Sequence, residues 1–315
     1  MGIEGAMDMP VHLLSYPQPG WHIRGGANFR SLTRAPTSPR KAMHEWIALA
    51  DAIEALGAPV AVLPPPEGEL LTGMMYAANF GRYFPHSGRF LVSKMSVSHR
   101  QGEAAHVAAF FRETLGLEAP QASEIWEGQA DVADLGADRH ILTWGVRTAH
   151  AACDLVRDEL GPSARTLDVK LREPFFHGDT CLSVLRRGDG SPLLMVYPGA
   201  LVDHTETDLA RFGAIDLLPI DERDALAYAC NALQVGKTLL VPTGVSDALL
   251  ARLEAEGITP RPMDFGELFG KGGGGPRCLV NVLRGLPSER IPDPVRFATL
   301  RPHLLELAEG YPESL

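Results

Sequence analysis

The chain has 315 residues, of which 45% are apolar and 22% charged, an ordinary globular composition that argues against disorder. A formal charge of −10 and a pI near 5.6 exclude the basic surface that a nucleic-acid partner requires. No apolar run reaches the ~18 residues of a membrane span, and the start MGIEGAMDMPVH lacks the basic and apolar regions of a leader and, with Ala6 in place of Ser or Thr, a myristoylation signal. The expectation is a soluble cytoplasmic protein without a membrane partner.

In chain order, the expected organisation is an N-terminal extension (1–25), one domain (26–285) and a proline-rich tail (286–315) packed on it. The first clear unit reads as an apolar strand at 71–79 (LTGMMYAAN), a strand at 89–94 (RFLVSK) and an amphipathic helix at 102–116. The same order recurs at 124–136, 140–145 and 147–161, then at 175–185, 193–199 and 205–213, and again at 227–236, 238–244 and 246–257. Strand pieces are β-branched or aromatic and helical pieces carry apolar residues at a spacing near 3.6. A last strand-like piece, RCLVNVL at 277–283, follows a glycine run. Such a period of about 50 residues points to a repeat architecture. Polar residues recur in phase at Asn28, Asn79, Glu127, His177, Asn231 and Cys278, at separations of 51, 48, 50, 54 and 47. Units set around an axis would bring these side chains together, and six phase points fit a five-unit ring when the first and last segments share one unit.

Four cysteines, Cys153, Cys181, Cys230 and Cys278, show no Cys-x-x-Cys pair, hence no zinc ribbon and no disulfide scaffold. Cys278 differs from the others because it follows four glycines (272–275) and Arg277. Glycine lets a ligand approach the main chain, and a cation beside a thiol lowers its pKa. His177 and Asp179, two residues apart, would share one face of a strand, with Asp179 placed to orient a ring or bind a cation. Glu127 and Asp131 supply two carboxylates in an otherwise small or apolar segment. Arg100 and Arg147 stand at helix starts, where the dipole disfavours a cation, so gripping a substrate carboxylate is their expected task. No second His stands at ligand spacing to His177, so no metal is expected.

These segments together resemble the guanidino-group-modifying, or pentein, enzymes from about Asn28 to Leu283, most strongly the dimethylarginine dimethylaminohydrolase-like and arginine dihydrolase-like branches. The carriers are AAN (77–79), HRQGE (99–103), EGQAD (127–131), GVRT (145–148), HGDTC (177–181), ACN (229–231) and GGGGPRC (272–278). The resemblance implies an α/β fold, a five-bladed propeller, and a cysteine-dependent hydrolase acting on arginine or an N-substituted arginine without a cofactor. It implies Cys278 as nucleophile, His177 as general acid and base, and Glu127 as catalytic carboxylate, with Asp131 the lesser claimant. Asp179 is then the guanidinium partner, Arg100 and Arg147 hold the substrate carboxylate, and Asn28 faces the substrate. Asn79 stands where deiminases carry Asp and the dihydrolase branch Asn. Two departures are Gly178, where the family has Leu, and Ala130, where it has Gly. Gly178 is expected to open space or flexibility beside His177.

The implied chemistry is attack of the Cys278 thiolate on the guanidinium carbon, with His177 protonating the departing amine and later deprotonating water. Products are ammonia or an amine with citrulline or, after a second round, ornithine. An amidinotransferase using an amine in place of water is the alternative, and a catalytically silent guanidine-binding protein a third reading. A homodimer is an open possibility.

Overall fold

Short β-branched runs interrupted by Gly and Pro give short strands, and the computed structural model, which describes residues 9–25, 28–32, 36–136 and 138–315, contains fourteen of them among these residues. Strand β1 (Val11–Leu14) is followed by helix α1 (Pro39–Ala55) and β2 (Val60–Val62). The hairpin β3 (Gly81–Phe84) and β4 (Arg89–Val92) precedes α2 (Glu103–Ala109). Then come β5 (Val132–Gly136), β6 (Arg139–Trp144), α3 (Ala151–Leu160) and β7 (Arg165–Lys170). The next group is β8 (Leu182–Arg186), β9 (Pro192–Val196), α4 (Glu206–Gly213), β10 (Asp216–Pro219) and α5 (Glu222–Leu226). The chain ends with β11 (Leu233–Val235), β12 (Thr238–Pro242), α6 (Asp247–Ala255), β13 (Thr259–Met263), β14 (Asn281–Leu283) and α7 (Phe297–Glu309).

The strands form five separate sheets, ordered β14-β1-β2, β3-β4, β5-β6-β7, β8-β9-β10 and β11-β12-β13. In four of them an antiparallel pair is followed by a helix and a third strand parallel to its neighbour. In the β3-β4 sheet the third place is taken by a bridge of Gln121 parallel to Val92. The first and last strands thus share one sheet, and β1 lies at its centre. That placement corrects the expected extension: residues 11–14 belong to the core, and only 1–8 of that segment lie outside the described residues. Helix α1, capped by the Ser38 side chain on Lys41 N with Pro39 in the first turn, buries Met43, Trp46, Leu49 and Ile53 against this sheet and α7. Each such side chain contributes roughly 1.5–3 kcal/mol on burial. From the tail, Phe297, Leu304 and Ala308 enter the same cluster.

The phase residues do not stand on strands. The stretch 71–79 is a turn ending in a single 3₁₀ turn, Ala77–Asn79, and β3 begins only at Gly81. Equivalent 3₁₀ turns lie at Gly128–Asp131, Gly178–Thr180, Ala229–Asn231 and Pro276–Leu279, each just before its first strand. The reason is local: Gly128 has φ of 82°, and short Asn, Asp and Thr side chains bond nearby backbone in preference to a ladder. The turns are tied to one another in sequence. Asn79 Nδ2 donates to Glu127 O (3.0 Å), Gly178 N to Asp131 Oδ1 (2.9 Å) and Asn231 Nδ2 to Asp179 O (3.2 Å). Gly275 N (2.7 Å) and Cys278 N (3.1 Å) donate to Asn231 Oδ1, and Asn281 Nδ2 returns to Ala77 O at 3.0 Å. This closed circuit of side chain to backbone bonds fixes the site, although no sheet closes on itself among the described residues.

Candidate active site

The turns face a cleft with about 70 Å³ of enclosed space, a concave site of the kind that takes a small molecule. Its walls include Asn28, Asn79, Arg100, Arg147, His177 and Cys278, so six of the nine residues singled out from the sequence meet there. Glu127, Asp131 and Asp179 lie behind the walls, fully or nearly buried.

Cys278 is held by its own backbone amide on Asn231, and the glycine run makes this approach feasible. A Cβ on Gly274 would lie 3.0 Å from Cys278 Sγ, and one on Gly275 would lie 2.6 Å from Asn231 O. Burial and then the charge of Asp179 push the Cys278 thiol well above its usual value, against weaker help from Asn231 and Arg277. The expected activation by Arg277 is therefore outweighed. That guanidinium is engaged by Gln129 Oε1 (2.7 Å) and Val280 O (3.1 Å).

Glu127 accepts from Ser96 N (3.0 Å) and Ser96 Oγ (2.5 Å) on Oε1, from Arg147 Nη1 on both oxygens (3.2 and 3.1 Å), and bonds His177 Nε2 through Oε2 at 2.8 Å. Burial opposes its charge, yet His177 and Arg147 hold it well below the usual carboxylate range. Burial also opposes charge on His177, but Asp131 and Glu127 raise its pKa above 6.5. With Nε2 committed to Glu127, His177 Nδ1 is buried and has no hydrogen-bond partner among the described residues.

Asp131 is placed differently from the expectation. Its carboxylate accepts from Thr143 Oγ1 (2.6 Å), Thr148 Oγ1 (2.6 Å) and Gly178 N (2.9 Å), so it anchors the turn carrying His177. Gly178 likewise opens no space, since a Cβ there would come within 2.5 Å of Thr143 Oγ1. The volume of the family's larger residue is filled by Thr143. His177 and Asp179, read as one face of a strand, instead cap and enter a 3₁₀ turn closed by Thr180 N on His177 O at 3.1 Å.

Asp179 carries the most informative anomaly. Both carboxylate oxygens are buried without a hydrogen-bond partner among the described residues, an arrangement that costs free energy unless a partner arrives. Burial pushes this acid up to about 6, with His177 and Arg277 pulling the other way.

The two arginines are on the wall but already paired. Arg100 makes two 2.8 Å bonds to Glu103 and further bonds to Asn79 Oδ1 (2.9 Å) and Gly73 O (3.1 Å). Its position before a helix is thus balanced by Glu103 in the first turn of α2. Asn28 Nδ2 donates to Gly272 O at 2.9 Å, Phe29 stacks on Tyr228 at 5.1 Å, and Arg30 reaches Leu226 O at 3.1 Å, so residues 28–30 are clamped beside the glycine run. Sequence reasoning gave no role to Ser96, Tyr76, Phe176 or Arg24. Asn231 was visible in the repeat but without its task of holding two amides. One His/Cys/Asp cluster among the described residues, His150, Cys153 and Asp168 with ligand atoms within 4.8 Å, lies apart from the cleft, and Asp168 is held there by Arg157 at 2.8 and 2.9 Å.

No family model matches the chain. The N-terminal domain of ArgZ, an arginine dihydrolase from the ornithine–ammonia cycle in cyanobacteria, solved with product bound, superposes with a TM-score of 0.77 over 88% of this chain and 98% of that one, at 24% identity. A dimethylarginine dimethylaminohydrolase from Pseudomonas aeruginosa, a cysteine-to-serine mutant complexed with citrulline, superposes at 0.69 over 87% and 99%, at 16% identity. The chain has the pentein fold. ArgZ and the dimethylarginine dimethylaminohydrolase share that fold. In sequence, this pentein is 28% identical over 247 residues to an uncharacterised Caenorhabditis elegans protein, covering 76% of this chain and 83% of that one. It is 26% identical over 262 residues to the bifunctional arginine dihydrolase/ornithine cyclodeaminase ArgZ of Synechocystis. That match covers 78% of this chain but only 33% of ArgZ, so the chain spans about a third of that enzyme's length. Among the described residues no helix is long and apolar enough to cross a membrane.

Proposed function

We propose that this protein hydrolyses the guanidino group of arginine or an N-substituted arginine through a covalent Cys278 thiouronium intermediate. The observation that carries the reading is Asp179, a buried carboxylate with two empty acceptor oxygens beside a buried thiol. A guanidinium presents paired N–H donors in the plane that such a carboxylate matches. Its arrival supplies the missing partner of Asp179, offsets the charge that raises Cys278, and favours the thiolate. The alignment with an ArgZ domain covalently bound to a reaction intermediate supports the same chemistry.

The thiolate then attacks the guanidinium carbon, forming an S–C bond and a tetrahedral adduct. The C–N bond breaks as His177 passes its proton to the departing amine, leaving the thiouronium. Water attacks next and gives its proton to His177, and the C–S bond breaks to release the ureido product and the thiol. Glu127 keeps His177 oriented and protonatable. Asn79, an amide whose Oδ1 and Nδ2 are both engaged, supports the reading in which the ureido product undergoes a second round to ornithine. The five sheets, each preceded by one turn of the closed circuit, support reading the fold as a five-bladed propeller around this site.

Acid quenching of wild-type protein turning over arginine tests the proposal. Intact-mass analysis should show an adduct of arginine less ammonia that Cys278→Ala lacks. Turnover without any adduct, surviving in the variant, overturns it.

A further inference from the structure

We propose that His150, Cys153 and Asp168 form a binding site, outside the cleft, for a thiophilic divalent cation of the Zn²⁺ class. Their donor atoms all lie within 4.8 Å of one another. His150 caps α3 and Cys153 stands in its first turn, three residues on, so the two share a helix face. Asp168 comes from β7, the edge strand parallel to β6. His150 Nε2 is 3.4 Å from Asp168 Oδ2. Two ligands each ~2.0–2.1 Å from a tetrahedral ion are themselves about 3.3 Å apart, so this pair already has the spacing that an ion requires. The Cys153 sulfur closes the triangle.

Burial and charge favour an ion over other uses of these groups. Cys153 is 2% exposed, and its sulfur makes no hydrogen bond among the described residues. Burial and then Asp168 push this thiol up to about 12, which silences it as a nucleophile, whereas a coordinating metal deprotonates a thiol outright. A substrate cannot reach so buried a sulfur, while the exposed His150 and half-buried Asp168 leave a small ion a way in. Arg157 Nη2 donates to both Asp168 oxygens at 2.8 and 2.9 Å, and the same guanidinium pairs with Asp154. One cation thus serves two carboxylates, and each Asp168 oxygen keeps a further acceptor site. Arg157 orients Asp168 as outer-shell partners orient metal ligands, and the Trp144 ring, 4.5 Å from that of His150, packs the imidazole in place. A nitrogen, sulfur and carboxylate set selects zinc or cobalt over magnesium and calcium, which take oxygen ligands. An ion here ties the start of α3 to β7 and braces the segment whose Thr148 hydroxyl holds Asp131.

The test uses the full chain carrying Cys278→Ala, which removes the cleft's own thiol from the titration. Reduced, chelator-treated protein is titrated with Co²⁺, whose thiolate charge-transfer absorption reports a cobalt–sulfur bond. The expected result is one saturable equivalent with that band, its loss when Zn²⁺ displaces cobalt, and a Tm raised by Zn²⁺. Cys153→Ser should abolish the band. His150→Ala, a change at an exposed position, should weaken binding at least about a hundredfold, beyond the 10–100-fold typical of losing an outer-shell partner. Where the buried Cys153→Ser fails to fold, His150→Ala decides on its own. Absence of the charge-transfer band, or a band and affinity that survive unchanged in either variant, overturns the proposal.

Discussion

Replacing Asp179 by Asn should stabilise the unliganded protein while removing its activity. The carboxyl is buried and rises from 3.8 to about 6, roughly two units at ~1.4 kcal/mol each, or about 3 kcal/mol. Because the folded pKa lies above the unfolded one, the folded state binds the proton more tightly between these values. Stability associated with this group is full below about pH 4 and is lost as pH rises through about 6. At pH 7 the wild type therefore carries the whole cost, and the neutral amide escapes it. With an unfolding entropy of ~2.1 cal/mol/K per residue, the gain corresponds to a rise in Tm of roughly 4 °C for this chain. The assay is thermal and chemical denaturation of both proteins at pH 7 and near pH 4, where the difference should vanish. Turnover of arginine should fall roughly 10²–10⁴-fold, the loss of two charge-assisted bonds. A destabilised Asp179→Asn at pH 7, or a gain that persists unchanged near pH 4, would refute the reasoning.

Three other outcomes are expected. The acid limb of kcat/KM should lie near pH 6, since protonated Asp179 no longer holds a cation, and a pH–rate profile whose acid limb sits near pH 4 contradicts this. Cys278 should be alkylated at least 100-fold faster by 2-chloroacetamidine than by neutral chloroacetamide at pH 7, because the raised thiol needs a bound cation to ionise; equal rates in a thiol-labelling assay count against a substrate-assisted thiolate. Gly178→Ala should cost about 1–3 kcal/mol through overpacking on Thr143, read by urea denaturation. Adding Thr143→Ser should recover part of that loss, since the methyl is relieved while the hydroxyl on Asp131 is kept.

Much of the site was legible because the repeat carries it. Asn79, Glu127, His177 and Cys278 recur at one phase, and the structure sets all four on equivalent turns in one circuit. Those turns were misread as strands because apolar runs such as 71–79 carry no helical period, and a 3₁₀ turn of three residues leaves none. The third strand of each unit was missed because edge strands such as Arg165–Lys170 bury one residue of six and so show no alternation. Asp131 and Asp179 are both acids two or four residues from a group proposed for catalysis, and only the placement of Thr143 and Thr148 separates the anchored carboxylate from the empty one.

The most direct test of the account is product analysis by mass spectrometry after incubation of wild-type protein and Cys278→Ala with L-arginine. The account predicts ammonia with citrulline or ornithine from the wild type and neither from the variant. Hydrolysis that survives in Cys278→Ala, or turnover by the wild type only when an amine acceptor is added, would contradict it.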